Sequence, residues 1–191
     1  MRYFTSDWHL NEKRIGEFNP FFRPFKSIEE QNNTIINNMN SIIKKDDTLI
    51  HIGDIAMDLD GLKLLDKIKC KDRTLIRGNY DIQFENELSK YFDRVIDSGL
   101  ITIDINSELK LKKKININGF VAKLNHYPTK IYDDEFGIVG HIHGLWKVQP
   151  NMVNVSVDAW HFNPVSEFEI IFIKNAIENG FYDDNVFPKT K

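Results

Sequence analysis

Five short segments of this chain place oxygen and nitrogen donors directly after apolar runs: Asp7-Trp8-His9, Gly53-Asp54, Gly78-Asn79, Asn125-His126 and Gly140-His141-Ile142-His143. Such runs read as buried strands. In α/β sheets ligand groups collect at the carboxyl ends of strands, so these ends are expected to aim carboxylates, imidazoles and an amide at one place. Asp7 and His9 lie two apart, as do His141 and His143, so on extended strand ends each pair is expected to face one side. A donor set without thiolate suits Mn, Fe, Ni, Zn or Mg in a catalytic site better than a thiolate-rich structural zinc cluster. Each residue alone has a plainer reading, because an aspartate before a turn commonly caps it and a lone histidine is more often core or surface. Four of the six histidines fall at such positions, however, beside glycines that let backbone approach a site closely. The joint reading is a metal-dependent hydrolase.

The elements that must position these residues follow from periodicity. Residues 2–6, 48–52 and 73–77 read as buried strands, and the segment over 10–26, rich in Phe, Pro and Arg, is a loop of a length often tied to function. Ser27, with Glu30 three residues on, caps a helix that Ile28, Ile35, Ile36, Met39, Ile42 and Ile43 carry to about Lys44. Leu59, Leu62, Leu65 and Ile68 predict a second helix, and a shorter one is expected over 84–91. The βαβ rhythm then stops. Residues 94–105, 109–117 and 120–125 read as successive β segments, with further strands at 136–139, 152–155 and 168–173 and a polar, aromatic-dotted tail from about 176. The expected class is α/β (α+β), a four-layer-like sandwich of two mixed β-sheets flanked by helices with the metal groups at one rim.

Composition narrows the partners. At 191 residues with 41% apolar side chains, the chain is expected to form one domain with a sizeable core, its tail peripheral. A net charge of −3 provides no global basic field for a long polynucleotide, so a small substrate fits better. Cys70 is the lone cysteine, which excludes an intramolecular disulfide and points to a reducing compartment, the cytoplasm being the simplest. No signal-like or membrane-spanning apolar stretch is apparent, and oligomeric state is left open.

With these segments in order, the chain resembles the calcineurin-like metallophosphoesterase superfamily, whose signature runs D-x-H, G-D, G-N-H-[DE], H and G-H-x-H. Here it reads Asp7-x-His9, Gly53-Asp54, Gly78-Asn79-Tyr80-Asp81, His126 and Gly140-His141-x-His143. Arg23-Pro24-Phe25 and the stretch from Val157-Asp158 to Pro164-Val165-Ser166 are similar to the small bacterial and viral members. The resemblance implies that Asp7, His9 and His143 hold one divalent ion, that Asn79, His126 and His141 hold a second, and that Asp54 bridges them. Manganese is expected first, with Fe, Ni, Zn or Mg as alternatives. Two cations roughly 3.5–4 Å apart clamp a phosphoryl group and lower the pKa of a shared water, so no side-chain nucleophile is needed. The implied reaction is hydrolysis of a phosphomonoester, a small phosphodiester or a nucleotide by metal-bound hydroxide, with Asp54, Asn79, Tyr80 and Asp81 as the catalytic set.

One position departs from the signature: Tyr80 stands where the family has the histidine implied to protonate the leaving oxygen. A phenol with an unperturbed pKa near 10 is a weak acid at neutral pH, though it still donates a hydrogen bond. Loss of general acid help typically costs about 10²–10⁴ in rate for leaving groups that need a proton, so good leaving groups such as aryl phosphates are expected to be favoured. The alternative function is a weakly active or inactive metal-binding regulatory protein of the same fold. Arg23, Arg77 and His161 are the candidate substrate contacts, each with ordinary surface pairing or a core role as its plainer reading. His51 reads as structural. Phe21, Phe22, Phe25 and Trp8 either stack on a base or pin the long loop to the core, and Lys110, Lys112, Lys113 and Lys114 read as a solvated strand edge.

Overall fold

The computed structural model describes residues 1–105, 115 and 117–180. The four lysines at 110 and 112–114, most of the strand expected over 109–117 and the tail from 181 lie outside these residues. The chain is a mixed α/β protein with two mixed sheets and three helices among the described residues.

The apolar runs that precede the donor segments form the first sheet. Strands β1 (Arg2–Thr5), β2 (Thr48–His51), β3 (Asp72–Ile76) and β4 (Arg94–Ile96) run parallel in that order, and the short β10 (Val165–Ser166) pairs antiparallel with β1. Parallel neighbours need crossovers. Helix α1 (Ile28–Ile42) joins β1 to β2, and its N-cap Ser27 accepts the Glu30 amide. Helix α2 (Leu59–Lys63), capped by Asp58, tightens into a 3₁₀ turn at Leu64–Lys67 and joins β2 to β3. Alternation along these strands serves both faces of the sheet. Leu49 and Leu75 join Ile35 and Met39 of α1 and its C-cap Ile43 in one core, while Phe4, Ile50 and Ile76 turn to the other.

The chain then leaves this sheet at Asp97. Strand β5 (Ser98–Ile103) belongs to a second sheet and pairs antiparallel with β6 (Phe120–Asn125), which is followed in space by β7 (Gly137–Val139), β9 (Met152–Asn154) and the edge strand β8 (Val148–Gln149). Ala122, Leu124, Ile138 and Val153 from this sheet share one buried cluster with Phe4, Ile50 and Ile76 from the first. The expected single strand over 94–105 is therefore two strands in different sheets.

Two further expectations are corrected. Residues 84–91 do not form a helix but lie in and between two 3₁₀ turns, Asp81–Phe84 and Leu88–Lys90, which suffice to bury Phe84, Leu88 and Phe92. Residues 168–173 are not a strand but lie within helix α3 (Glu167–Glu178). Ser166 and Glu169 close a reciprocal capping box that starts this helix, and Ile170, Ile173 and Ala176 then fall on its buried side. No helix among the described residues is long and apolar enough to cross a membrane.

His51 ends β2 beneath the donor segments. It is fully buried against Trp8, ring centroids 4.7 Å apart, and neither ring nitrogen has a hydrogen-bond partner. Burial pushes its pKa down from 6.5 to about 3. Between those values the unfolded chain takes up a proton that the folded chain refuses, so stability is lost as pH falls below 6.5. The slope is about 1.4 kcal/mol per pH unit, or about 2 kcal/mol between pH 7 and pH 5. His51→Phe is expected to flatten this part of the profile, measured by urea unfolding at pH 7, 6 and 5; equal slopes in both proteins would refute it.

Candidate metal centre

The donor segments lie beyond the strands, where loops run side by side. The amides of Asp7, His9 and Leu10 donate to the carbonyls of Gly53, Asp54 and Ile55 at 2.9, 3.1 and 2.8 Å, prolonging the pairing of β1 with β2. The Gly140 amide donates to the His126 carbonyl at 3.2 Å, tying the last two segments together. The conformation of these loops was not legible in the spacing. Asp7, His9, Asp54, His141 and His143 all sit at positive φ, between 45° and 73°, rather than on extended strand ends. Such backbone costs on the order of 1–3 kcal/mol per residue and persists where the surroundings over-determine it, often at functional sites.

This backbone assembles two triads. One ligand atom from each of Asp7, His9 and His143 lies within 4.8 Å of the others, and the same holds for Asp54, His126 and His141. Asp54 joins them: its Oδ2 lies 3.7 Å from His9 Nε2 and 3.3 Å from His126 Nε2. The far side of each ring is held elsewhere. His126 Nδ1 is 2.7 Å from the Ile52 carbonyl and His143 Nδ1 is 2.5 Å from Asp158 Oδ2, an arrangement that leaves Nε2 as the nitrogen available to an ion. His9 Nδ1 faces Met57 Sδ at 3.3 Å, while its buried Nε2 has no partner. His141 Nδ1 lies 3.2 Å from His126 Nε2, and the His9 and His143 rings stack at 5.1 Å.

The electrostatics suit a cation. Asp7 is buried, and burial pushes its carboxyl above the usual range, opposed by the charges of His126 and His143 and by the Ser6 hydroxyl at 2.6 Å. Burial pushes His9 well below 6.5, with the Arg23 charge adding to it, and it lowers His141 in the same sense. These imidazoles are therefore neutral and keep a lone pair for a metal. Asp54 stays ionised, because His126, His9 and the Tyr80 amide outweigh the effect of burial. His126 is raised to about 9: burial lowers it, but the Asp54 hydrogen bond and the charges of Asp7 and Asp54 prevail. An orphaned Nε2, the neutral imidazoles of His9 and His141 and converging carboxylates fit divalent cations of the Mn, Fe, Ni, Zn or Mg kind, and His126 would release its proton to bind one.

The remaining candidates divide. Tyr80 is at the centre, its ring edge-on to His9 at 4.9 Å and its amide donating to Asp54 Oδ1 at 2.9 Å. Asn79 is an exposed residue between Gly78 and Tyr80. Asp81 is not a catalytic group. It is fully buried, and its carboxylate accepts the amides of Asp54, Ile55 and Gly78 at 2.8–2.9 Å, clamping two donor loops to each other. Arg23 is not a substrate contact either. It is 2% exposed, and its five N–H groups are taken by Asp158, Trp8 O, Asp7 O and Gln31. His161 is not brought to the centre: it is exposed, and its carbonyl receives Asn38 of α1. Arg77 is paired with Asp97 at 2.8 Å and Glu85 at 3.2 Å, and it lines a cleft with Gly78, Tyr127 and Lys130 beside the second triad. Trp8 is core, bonded to Thr5, while Phe22 packs on Gly144 and Phe25 on Phe162, so these aromatics pin the loop. Phe21 is exposed.

Residue-type reasoning missed Asp158, Glu12, Arg14, Phe18 and Tyr127. Asp158 braces His143, Phe18 packs on His9 at 4.9 Å, and Tyr127 meets the His126 and His141 rings at 5.0 and 4.9 Å. None lies in a pattern of metal-ligand spacing, so only proximity reveals them.

Gly78 shows how closely the loops approach. A Cβ there would meet Asp54 Oδ1 at 2.2 Å and the Asp54 amide at 2.7 Å. Gly78→Ala is therefore expected to displace the Asp54 carboxylate and to weaken Mn²⁺ binding by about 10–100-fold, the range for lost support of a ligand. Calorimetric titration with Mn²⁺ checks this, and wild-type affinity would refute it.

No family model matches the chain. It is 26% identical over 182 residues to the uncharacterized protein MJ1445 of Methanocaldococcus jannaschii, which spans 93% of this chain and 92% of that protein. Among solved structures, it is similar to the crystal structure of AQ665, a protein of unknown function from Aquifex aeolicus, with a TM-score of 0.66 and 26% identity over 89% of this chain and 97% of the other.

Proposed function

We propose that this protein is a dinuclear metal-dependent phosphoesterase of the calcineurin-like kind, hydrolysing a small phosphate ester: a phosphomonoester, a small phosphodiester or a nucleotide. The observation that carries the reading is Asp54, a member of the second ligand triad with Oδ2 3.3 Å from His126, whose Oδ2 also lies 3.7 Å from His9 of the first triad, as a carboxylate placed between two ions would. On this reading the two sheets are the inner layers of a sandwich flanked by helices, Asp7, His9 and His143 hold one ion, and His126, His141 and Asn79 hold the other with Asp54 between. Two bound cations would supply a Lewis acid and a water of lowered pKa. The chain's own residues supply the rest. Asp158 and the Ile52 carbonyl keep His143 and His126 oriented, Asp81 holds the Asp54 loop in register, and Tyr80 offers a hydroxyl beside the first triad.

The test is hydrolysis of p-nitrophenyl phosphate and bis-(p-nitrophenyl) phosphate by metal-stripped protein resupplied with Mn²⁺, Ni²⁺, Zn²⁺ or Mg²⁺. Turnover that requires a metal supports the reading. Tight binding of two ions without turnover on either ester would instead favour a metal-binding regulatory protein, the reading that Tyr80 in place of a histidine supports.

A further inference from the structure

Arg14 stands beside the candidate centre on the long loop after Asp7-Trp8-His9. Buried Glu12 grips it: Glu12 accepts Arg14 Nε at 2.9 Å, Nη2 at 2.7 Å and the Arg14 amide at 2.9 Å. The guanidinium lies 4.6 Å from the centroid of Phe18, and Phe18 meets His9 at 4.9 Å and His143 at 5.3 Å. Glu12 does not use Nη1, and Tyr80, whose ring meets His9 at 4.9 Å as Phe18 does, is a further electrostatic neighbour of Arg14. Unlike buried Arg23, the Arg14 side chain is 49% exposed. A guanidinium and a phenol thus both stand beside the first triad, with one edge of the guanidinium clear of Glu12.

We propose that Arg14 and Tyr80 form an anion subsite that takes a nonbridging phosphate oxygen of the substrate, and that this subsite selects phosphomonoesters over phosphodiesters. The proposal rests on the phosphoesterase reading and deepens it. A monoester has three nonbridging oxygens and a diester two, so a donor pair additional to the metal ligands rewards the third. Glu12 balances the charge of Arg14, so recognition comes from fixed donor geometry rather than from a diffuse positive field.

Inorganic phosphate is the probe, titrated calorimetrically into Mn²⁺-loaded protein. Removing a charge-assisted donor with Arg14→Ala is expected to weaken phosphate binding about 10–100-fold, with Arg14→Lys recovering part of it. Because Arg14→Ala leaves Glu12 buried without its partner, Tyr80→Phe serves as a second variant that keeps that pair, and it is expected to weaken binding about 2–10-fold. In parallel, KM for p-nitrophenyl phosphate is expected to rise in both variants by more than KM for bis-(p-nitrophenyl) phosphate. Phosphate affinity equal to wild type in folded variants overturns the subsite, and equal KM changes on the two esters overturn its selectivity. Mn²⁺-loaded wild type that neither binds phosphate nor hydrolyses either ester removes the phosphoesterase reading itself.

Discussion

Replacing Asp54 by asparagine is expected to abolish metal-dependent ester hydrolysis while the protein stays folded. The carboxylate belongs to the second triad and reaches the first, with Oδ2 facing His126 at 3.3 Å and His9 at 3.7 Å. Asparagine can still accept the Tyr80 amide through its oxygen, as Oδ1 does now at 2.9 Å, but it puts a neutral NH₂ where the anionic oxygen stood. On the proposed reading, both ions would lose a ligand by one substitution. A loss of several kcal/mol of charge stabilisation corresponds to roughly 10³-fold or more in kcat. The backbone is held independently, since the Asp54 amide donates to Asp81 and the Asp54 carbonyl accepts the His9 amide. Steady-state turnover of p-nitrophenyl phosphate with saturating Mn²⁺, beside near-UV circular dichroism, checks both halves. Metal-dependent turnover within tenfold of wild type would argue that Asp54 does not serve two ions.

The largest effect on stability is expected from Arg23→Ala, a loss of about 3–5 kcal/mol, because it strands a buried charge. Asp158 is buried, and burial alone would raise its carboxyl. The His143 hydrogen bond and the Arg23 guanidinium instead hold it well below the usual carboxylate range. Arg23 meets that carboxylate through Nε at 2.7 Å and Nη2 at 2.9 Å, and it also satisfies the carbonyls of Asp7 and Trp8. Without it, Asp158 keeps His143 at 2.5 Å and the Ser156 hydroxyl at 3.2 Å, and two buried carbonyls lose a donor. The double variant Arg23→Met with Asp158→Leu removes both charges and is expected to recover part of the loss. Urea unfolding of the metal-free variants measures the difference. A loss below about 1 kcal/mol for Arg23→Ala would mean that water reaches this pair and screens it.

Much of the framework was legible in the sequence. The apolar runs before Asp7, Asp54 and Asn79 form the parallel strands β1, β2 and β3, and Phe120–Asn125 was read to the residue as β6. The N-cap at Ser27 was equally clear. These are local properties: strand alternation and helix caps depend on neighbours within a few positions. The capping box at Ser166 and Glu169 is just as local, but the short apolar run Ile170–Ile173 that follows it is compatible with strand or helix by periodicity alone.

Residue types and spacing alone determined which side chains could bind metal, because carboxylate and imidazole chemistry does not depend on the fold. The resemblance to the family signature marked Tyr80 as the odd member of its motif. Only the tertiary structure decided what each group faces. Arg23 and Asp158 are 135 positions apart, and Asp7 accepts the His141 amide from 134 positions away. Long-range contacts of this kind turned Arg23 and Asp81 from candidate site residues into braces. They also brought Arg14 and Tyr80 to the same triad and held five triad residues at positive φ. The physical reason is that burial and the partner a polar group finds there are set by packing between distant segments, whereas the sequence displays only what each segment has to offer.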